Sequence, residues 1–401
     1  MQFSFGQFGI AGSAPAGELI PDWPSWTGAN DGPVKNLFTT NGTIRGQDIV
    51  AVSDEEAILF YRDGMDGLKG KVLVLDVDSS TKTFKDADTN TPTITSINSP
   101  LGLNIVRITE TRFVCMAEDD GTGLQDVSLI SKNGKALTEE DTVDFGVPVG
   151  VNFRLALCRL NDTQAVGLGR DDTDNQGVLR IIDITGDTIS LGTAVDLGLN
   201  VDENASVCRL TDTTFMLATA ATGGQGGGKV LYCSVSGTTI TVEDTISIDA
   251  LNTVYDDMMI GRIDDTTAIC SYEIQTSSIV NVNVFSWSGS ALSRGTEKTD
   301  IFDGNNLFQG NGTVTEVGDR AVMFSGRQDD ETPQYGAVVV CSVDESNNIT
   351  VGTRRQTSAD IQADHNTIDA TPSGLYVFCA CQDETTTPIQ QVGTRILVAP
   401  T

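Results

Sequence analysis

The sequence predicts an all-β protein in which one four-stranded unit is repeated seven times and closes into a ring. Three observations lead to this prediction: a motif that recurs about every fifty residues, short β-prone segments separated by turn residues, and a last copy that is one strand short. A repeat of this kind overrides the two or three domains that 401 residues would otherwise suggest.

The recurring motif is clearest in the middle of the chain, where LCRLNDT begins at Leu157, VCRLTDT at Val207 and IGRIDDT at Ile260. Weaker copies continue the series in both directions. One equivalent position, here called the ring position, is occupied in the successive copies by Ala51, Arg107, Arg159, Arg209, Arg262, Glu316 and Asp369. The steps between these residues are 50 to 56 positions, which is too regular for chance matches.

Each copy is predicted to contain four short strands in the order strand, turn, strand, loop, strand, turn, strand. The segments are rich in Val, Ile and Thr and are bounded by Gly, Asp, Asn and Ser, as in NFRLALCRL, the turn NDT and then QAVGLGR. No stretch has the 3.6-residue periodicity of a long helix. Four strands in about fifty residues, repeated in series, predict a β-propeller.

The two ends of the chain are predicted to meet in the last blade. Only 32 residues follow Asp369, and they contain three strand-like segments instead of four. The β-prone segment VKNLFTTNGTI, residues 34–44, precedes the first copy and is the predicted fourth strand. Closure of this kind removes exposed sheet edges. We therefore divide the chain into an N-terminal arm, 1–33, and a seven-bladed propeller, 34–401.

In period and strand pattern, residues 34–401 resemble seven-bladed β-propellers in general. The marks of named propeller subfamilies are absent from the sequence. There is no regular GH…WD signature of WD40 repeats, no double-glycine kelch element in most copies, and no S-x-D-x-G-x-x-W box of sialidases. The resemblance therefore implies a fold and no particular activity.

The N-terminal arm contains a concentration of aromatic residues in a chain that is only 6% aromatic. Its candidate anchor residues are Phe3, Phe5, Phe8, Trp23 and Trp26. Aromatic side chains on a tether commonly anchor one protein to another, and the alternating QFSFGQF could add a strand to a partner's sheet. The alternative is that these rings cover the bottom of the same propeller.

An aromatic arm before a propeller, without a signal-peptide pattern, is similar in organisation to phage tail and capsid appendage proteins. This resemblance implies a non-enzymatic structural protein located in the virion. The arm would bind other virion proteins, and the propeller would bind a host-surface glycan or protein. Two alternatives stay open: a carbohydrate-active propeller enzyme and a cellular protein-interaction scaffold. No G-x-S-x-G elbow is present, and GGQGGG, residues 223–228, lies between two strands and lacks the context of a phosphate loop.

The composition excludes several functional classes. Asp and Glu total 55 against 25 Lys and Arg, a net charge of −30 that is unsuited to nucleic-acid binding. No apolar stretch is long enough to span a bilayer. The single histidine, His365, argues against His-based catalysis or a multi-His metal site. The eight cysteines lie in apolar runs and are expected to be free buried thiols.

The ring position carries arginine in four consecutive copies, Arg107, Arg159, Arg209 and Arg262, and an acidic residue follows each three positions later. Arginine and carboxylate form bidentate pairs, so a structural ring that ties neighbouring blades is expected. The alternative is an anion site in the central channel. Glu316 and Asp369 interrupt the positive ring and count against it.

Acidic loops follow the second strand in five of the seven copies, and RDDTDNQG at 170–177 is an example. Oxygen-rich loops with glycine can bind Ca²⁺, and Asp172 and Asp174 are candidate ligands. The alternatives are solvated loops or a face for a cationic partner. No other cofactor is expected.

Overall fold

The computed structural model describes most of the strand-forming part of the chain. The described residues are 35–39, 47–63, 69–78, 84–85, 93–98, 101–119, 123–148, 156–171, 173–221, 227–248, 255–274, 279–302, 312–328, 335–356, 363–374, 376–383 and 390–397. Within them every regular element is a β-strand. No described helix is long and apolar enough to cross a membrane.

Short strands follow one another along the whole described chain, as their β-branched and apolar composition predicts. In the first half they are β1 (Lys35–Thr39), β2 (Gln47–Ser53), β3 (Glu56–Asp63), β4 (Lys69–Asp76), β5 (Thr93–Asn98), β6 (Leu101–Thr109), β7 (Arg112–Asp119), β8 (Leu124–Asn133), β9 (Ala136–Pro148), β10 (Ala156–Asn161), β11 (Gln164–Asp171), β12 (Gln176–Thr185), β13 (Thr188–Leu191) and β14 (Val195–Thr211). In the second half they are β15 (Thr214–Ala221), β16 (Gly228–Ser236), β17 (Thr239–Ser247), β18 (Tyr255–Arg262), β19 (Thr267–Ile274), β20 (Ile279–Trp287), β21 (Leu292–Lys298), β22 (Val314–Gly318), β23 (Ala321–Gln328), β24 (Tyr335–Val343), β25 (Ile349–Val351), β26 (Arg355–Gln356), β27 (Ala363–Ala370), β28 (Tyr376–Asp383) and β29 (Gln390–Leu397).

The chain folds as an all-β propeller with four-stranded blades, which confirms the predicted fold class at this level. Each blade is an antiparallel meander, because short turns join strands that are neighbours in sequence. The four-stranded sheets run β2-β3-β4-β5, β6-β7-β8-β9, β18-β19-β20-β21 and β1-β29-β28-β27. A fifth sheet runs β22-β23-β24-β25, with β26 also paired to β24.

The sequence predicted seven separate blades, whereas the described residues form six sheets. The sixth sheet has eight strands, because β14 belongs to two consecutive repeats at once. Its first part pairs with β12, from Leu179 opposite Val195, and its second part pairs with β15, ending at Thr211 opposite Thr214. A single strand of 17 residues therefore merges two repeats that the sequence pattern separates.

The last sheet combines the two ends of the chain. Strand β1 pairs antiparallel with β29, with Lys35 opposite Gly393 and Thr39 opposite Gln390. Since β27 is the innermost strand of this sheet and β1 the outermost, the chain enters the propeller at its perimeter. The segment expected to supply this strand, 34–44, contains β1.

The innermost strands contact one another in a closed order, and each repeat packs against the next. The order is β2, β6, β10, β14, β18, β22 and β27, and β27 contacts β2 again. Clusters of buried apolar side chains lie between consecutive repeats of the described chain. The cluster between the last and first repeats includes Phe84 and Phe378, whose ring centroids are 5.5 Å apart. Apolar burial between repeats therefore holds the ring closed.

Tight turns join the third and fourth strands of a repeat where glycine allows a left-handed backbone. In the third repeat Thr185 pairs with Thr188 across a two-residue turn, and Gly186 has φ +61°. A side chain at this φ is strained, so this turn depends on its glycine.

Candidate functional site in the central channel

The ring position places one side chain from each innermost strand beside the central channel. In five strands, β2, β6, β10, β14 and β22, the pairing register shifts immediately after this position. A register shift of this kind is a β-bulge, which bends the strand and redirects a side chain. The motif that made the repeat visible in the sequence therefore coincides with a recurring local irregularity.

Three of the ring arginines donate hydrogen bonds to the innermost strand of the preceding repeat. The bonds are Arg107 Nη1 to Val52 O at 2.9 Å, Arg209 Nη1 to Leu160 O at 3.0 Å, and Arg262 Nε to Leu210 O at 2.9 Å. Each acceptor belongs to the residue that follows a ring position. Such charge-assisted bonds to backbone carbonyls hold neighbouring repeats together.

The acidic residues three positions later lie in exposed turns. Arg159 forms an ion pair with Asp162. Nη1 of Arg209 lies 3.6 Å from Oδ1 of Asp212, and Nη2 of Arg262 lies 2.8 Å from Oδ1 of Asp265. These aspartate side chains are 71–78% exposed. Pairs with one partner so exposed contribute little to stability. The backbone bonds, rather than these ion pairs, are the stronger ties between repeats.

Glu316, the acidic residue at the sixth ring position, pairs with the arginine at the fifth. Its Oε2 lies 3.2 Å from Nη1 of Arg262. Desolvation raises the pKa of Glu316, and the charges of Arg262 and Arg209 oppose this rise. Because Arg209 lies two repeats away and still lowers this pKa, side chains from separate repeats share one channel space.

Asp369, at the seventh ring position, connects three innermost strands. Its Oδ2 accepts a hydrogen bond from the backbone N–H of Ala51 at 2.8 Å, and its Oδ1 accepts one from Thr315 Oγ1 at 3.1 Å. Burial raises the pKa of Asp369 to about 6, although these bonds and the charge of Arg107 lower it. The carboxyl therefore joins β27 to β2 on one side and to β22 on the other.

Asp48 plays the same connecting role near the start of β2. Its Oδ1 accepts from Thr367 Oγ1 at 2.7 Å and from the N–H of Ile49 at 2.9 Å, and its Oδ2 accepts from the N–H of Ile105 at 2.9 Å. Burial raises its pKa to about 7, against the effect of these bonds, and the charge of Asp369 raises it further. Two carboxyls with raised pKa values thus lie at the junction of the last and first repeats.

Two carboxyls that titrate near neutrality have the acid strength required for general acid–base catalysis. Their oxygens, however, already accept hydrogen bonds from the protein's own N–H and O–H groups. A catalytic carboxyl must also reach a substrate atom, and these bonds compete with that contact. The arrangement is therefore better suited to fastening the ring than to proton transfer.

Several sequence-predicted site residues lie outside the described residues: Phe3, Phe5, Phe8, Trp23, Trp26 and the candidate calcium ligand Asp172. The second calcium candidate, Asp174, is exposed, and its Oδ1 accepts a bond from the N–H of Gln176 at 3.0 Å. Among the described residues, no three His, Cys, Asp or Glu side chains are grouped so that they could hold a metal ion. His365 lies in β27, and its side chain is not among those described.

The cysteine prediction is confirmed for the cysteines whose side chains the structure describes. Seven are free thiols, six of them buried and Cys158 partly exposed. Burial raises the pKa of the Cys158 thiol to about 12. Burial also raises the pKa of the thiols of Cys115, Cys208, Cys233, Cys270 and Cys341, whereas a reactive cysteine has a lowered pKa.

The sequence analysis missed the roles of Asp48, Thr315 and Thr367. Asp48 and Thr367 precede the ring position in their copies, and Thr315 is next to it, but the types at these positions differ from copy to copy. A repeat alignment emphasises what copies share, so it passes over polar residues that occur only at the junction. Aspartate and threonine at the start of otherwise apolar inner strands were the available signal.

Comparisons with known proteins identify the fold and no family. No protein-family model matches the chain, and no curated protein matches it in sequence. Among solved structures, a protein from Lactobacillus plantarum superposes with a TM-score of 0.54 at 13% identity, covering 84% of this chain and 94% of its own. A candidate 6-phosphogluconolactonase from Bacteroides uniformis gives 0.54 at 12% identity, with coverages of 84% and 95%. An oligogalacturonate lyase in complex with manganese gives 0.51 at 9%, with coverages of 91% and 97%. At these identities the similarity concerns the fold alone.

Proposed function

We propose that this chain is a non-enzymatic binding protein of a virus particle, in which the propeller contacts a partner and the arm, residues 1–33, attaches it to the particle. The observation that carries the proposal is the use of the channel carboxyls. Asp48 and Asp369 accept hydrogen bonds that join consecutive innermost strands. Side chains used in this way support a rigid scaffold for binding rather than a catalyst.

The entry point of the chain supports a role of the arm in attachment. Strand β1 is the outermost strand of the last sheet, so the residues before Lys35 begin at the perimeter of the propeller. The aromatic arm is joined to the propeller at this point, so it can contact a neighbouring protein without crossing a face of the propeller. Trp and Phe are both enriched at protein interfaces, and Trp is among the residue types that contribute most binding energy there.

The charge of the chain constrains the partner. A net charge of −30 repels nucleic acid and anionic membranes and favours a cationic or neutral polar partner. A glycan or a protein on a host surface satisfies this condition. The propeller face that bears the loops between second and third strands is where we place this contact.

The test of attachment compares the full chain with a chain that begins at residue 34, which retains β1. We expect the full chain to form an oligomer or to associate with particles, and the shortened chain to be a folded monomer by light scattering and circular dichroism. A matched full-length variant replaces Phe3, Phe5 and Phe8 by serine and should behave like the shortened chain. If both variants keep the mass of the full chain, the arm does not mediate assembly.

The virion placement has its own test. Particles from a culture of the source organism are separated from soluble protein by a density gradient, and the chain is identified by mass spectrometry. We expect it in the particle fraction. Recovery only among soluble proteins contradicts this placement and favours the cellular scaffold.

The raised pKa values of Asp48 and Asp369 favour one second candidate, a carbohydrate-active enzyme. A protonated and an ionised carboxyl are the requirement for glycoside hydrolysis. The test is release of reducing sugar from mixed polysaccharides, with Asp369→Asn as the comparison. Activity that this substitution removes in a folded protein would replace the binding proposal.

We also infer that the eight-stranded sheet consists of two blades, so that the propeller has seven. The closed order of innermost strands and the sequence repeat support this count, since β14 supplies the outer strand of one repeat and the inner strand of the next. Class averages from electron microscopy, viewed along the channel, should show seven spokes. Six spokes would contradict the inference.

A further inference from the structure

We propose that Arg107, Arg159 and Arg209 form a binding site in the central channel for a small oxyanion, a phosphate or carboxylate group. These residues occupy the ring position on three consecutive innermost strands, β6, β10 and β14. Arginine binds both groups well because its planar guanidinium offers five N–H donors in a fixed geometry. The proposal goes beyond the binding function above, which concerns the propeller face and the arm.

The two acidic ring residues offset the charge of this arc only in part, through the interactions of Asp369 with Arg107 and of Glu316 with Arg209. Glu316 is paired with the fourth arginine, Arg262, at 3.2 Å. Asp369 is held by bonds from Ala51 and Thr315. The sequence alone suggested that the acidic residues break up a positive ring. The structure instead pairs one of them with Arg262 and fastens the other to neighbouring strands.

The arginines of the arc keep unused donors. Among described residues, Arg107 makes one hydrogen bond, from Nη1 to Val52, and no ion pair. Arg209 uses only Nη1, towards Leu160 and Asp212, so its Nε and Nη2 are without a described partner. Arg159 uses Nε and Nη2, towards Asn161 and Asp162. The backbone bonds orient the guanidinium groups while other N–H groups stay available.

The three arginines lie on innermost strands that contact one another in series, β6 with β10 and β10 with β14, and their side chains are partly desolvated. The side chains of Arg159 and Arg209 are 32% and 37% exposed, so each is about two-thirds buried. Leu160, next to Arg159 in the chain, is fully buried. Burial lowers the pKa of Arg107; the charge of Asp369 opposes this shift, and the charge of Arg159 adds to it. A partly buried cation without an ion pair is unfavourable, and a bound anion relieves this by supplying both charge and acceptors.

Binding is measured by isothermal titration calorimetry on the full chain, with inorganic phosphate and acetate as probes at low ionic strength. We expect saturable binding of at least one probe, with a Kd on the order of 0.1–1 mM. The preferred probe distinguishes a phosphate-bearing from a carboxylate-bearing ligand. No saturation by either probe up to about 10 mM overturns the proposal.

Two substitutions with the same change in charge localise the site. Arg209→Met should weaken binding by about tenfold or more, because it removes charge-assisted hydrogen bonds. Arg112→Met is the matched control, since Arg112 pairs with Asp187 in outer turns and should leave Kd unchanged. An equal effect of the two substitutions contradicts a channel site.

A third variant distinguishes a loss of binding from a loss of folding. Arg209→Lys keeps the charge and loses the forked donor geometry, so a folded Lys variant should bind between wild type and the Met variant. Thermal unfolding with and without the probe gives an independent readout, because a ligand of the folded state raises the midpoint. A wild-type midpoint that the bound probe does not raise also contradicts the proposal.

Discussion

Thr367 Oγ1 donates a 2.7 Å hydrogen bond to Oδ1 of Asp48, although 319 residues separate them in the chain. The bond joins the innermost strand of the last repeat to that of the first. Asp48 also accepts from the N–H of Ile105 on the next innermost strand. One carboxyl therefore fastens three consecutive strands at the point where the ring closes. Side chains at this junction should have a larger effect on stability than equivalent residues elsewhere.

Replacement of Thr367 by valine tests this junction directly. The change keeps the shape of the side chain and removes the hydroxyl that is bonded to Asp48. We expect a loss of about 1–3 kcal/mol in the free energy of unfolding, because a buried acceptor loses its partner. Urea titration measures it. Thr350→Val is the control, since Thr350 is exposed in β25. If both substitutions change the free energy of unfolding by the same small amount, the bond between Thr367 and Asp48 does not contribute to stability.

Stability should fall as the pH rises through the range in which Asp48 titrates. Its pKa is about 7 in the folded protein, against an ordinary aspartate value of 3.8. Between these values the folded protein keeps a proton that the unfolded chain has released, so the free energy of unfolding declines with rising pH. Asp369, with a pKa of about 6, acts in the same direction. The decline attributable to Asp48 should be on the order of 2–4 kcal/mol between pH 4 and 8.

Asp48→Asn isolates this contribution, because asparagine cannot release the proton. Its unfolding free energy, measured by urea titration at several pH values, should change less steeply than that of wild type. Asp196→Asn is the control, since Asp196 is exposed and, among the described residues, accepts a hydrogen bond from the N–H of Gly198 alone. A slope in Asp48→Asn equal to that of wild type would show that Asp48 is ionised throughout this range.

Gly169 allows a close approach between neighbouring repeats. A Cβ at this position would lie 1.9 Å from Oε1 of Gln125, whose side chain is fully buried. We expect Gly169→Ala to reduce stability by about 1–3 kcal/mol through overpacking. The double variant with Gln125→Ala should recover part of this loss in a mutant cycle. Gly318→Ala is the control, since its Cβ would meet nothing closer than 4.0 Å.

Among the described cysteines, Cys158 should react first with a thiol reagent in the native protein. It is partly exposed, whereas the other described cysteines are buried. The reaction should still be slow at neutral pH, since burial raises the pKa of this thiol to about 12. Mass spectrometry after short exposure to the reagent identifies the modified residue. The variant Cys158→Ser should lack this early modification, and the control variant Cys341→Ser should keep it. Faster modification of Cys341 would contradict the described burial.

The propeller fold and the four-stranded blades could be predicted from sequence, because the repeat leaves the same signal seven times. The residues that fasten the ring could not. Asp48 and Thr367 occur once each in this role, and their pairing depends on the meeting of the chain ends. The arginines at the ring position were found from sequence, but not that three of them bind a carbonyl of the preceding repeat.

The sequence by itself determined the local elements: strand lengths, the glycine turns such as that at Gly186, and the series of ring positions. These depend on side-chain shape and on backbone conformation within a few residues. Tertiary structure decided which repeats share a sheet through β14, and which charges at the channel are paired. Hydrogen bonds such as that between Asp48 and Thr367 form only after the ring has closed, because closure alone brings their atoms within bonding distance.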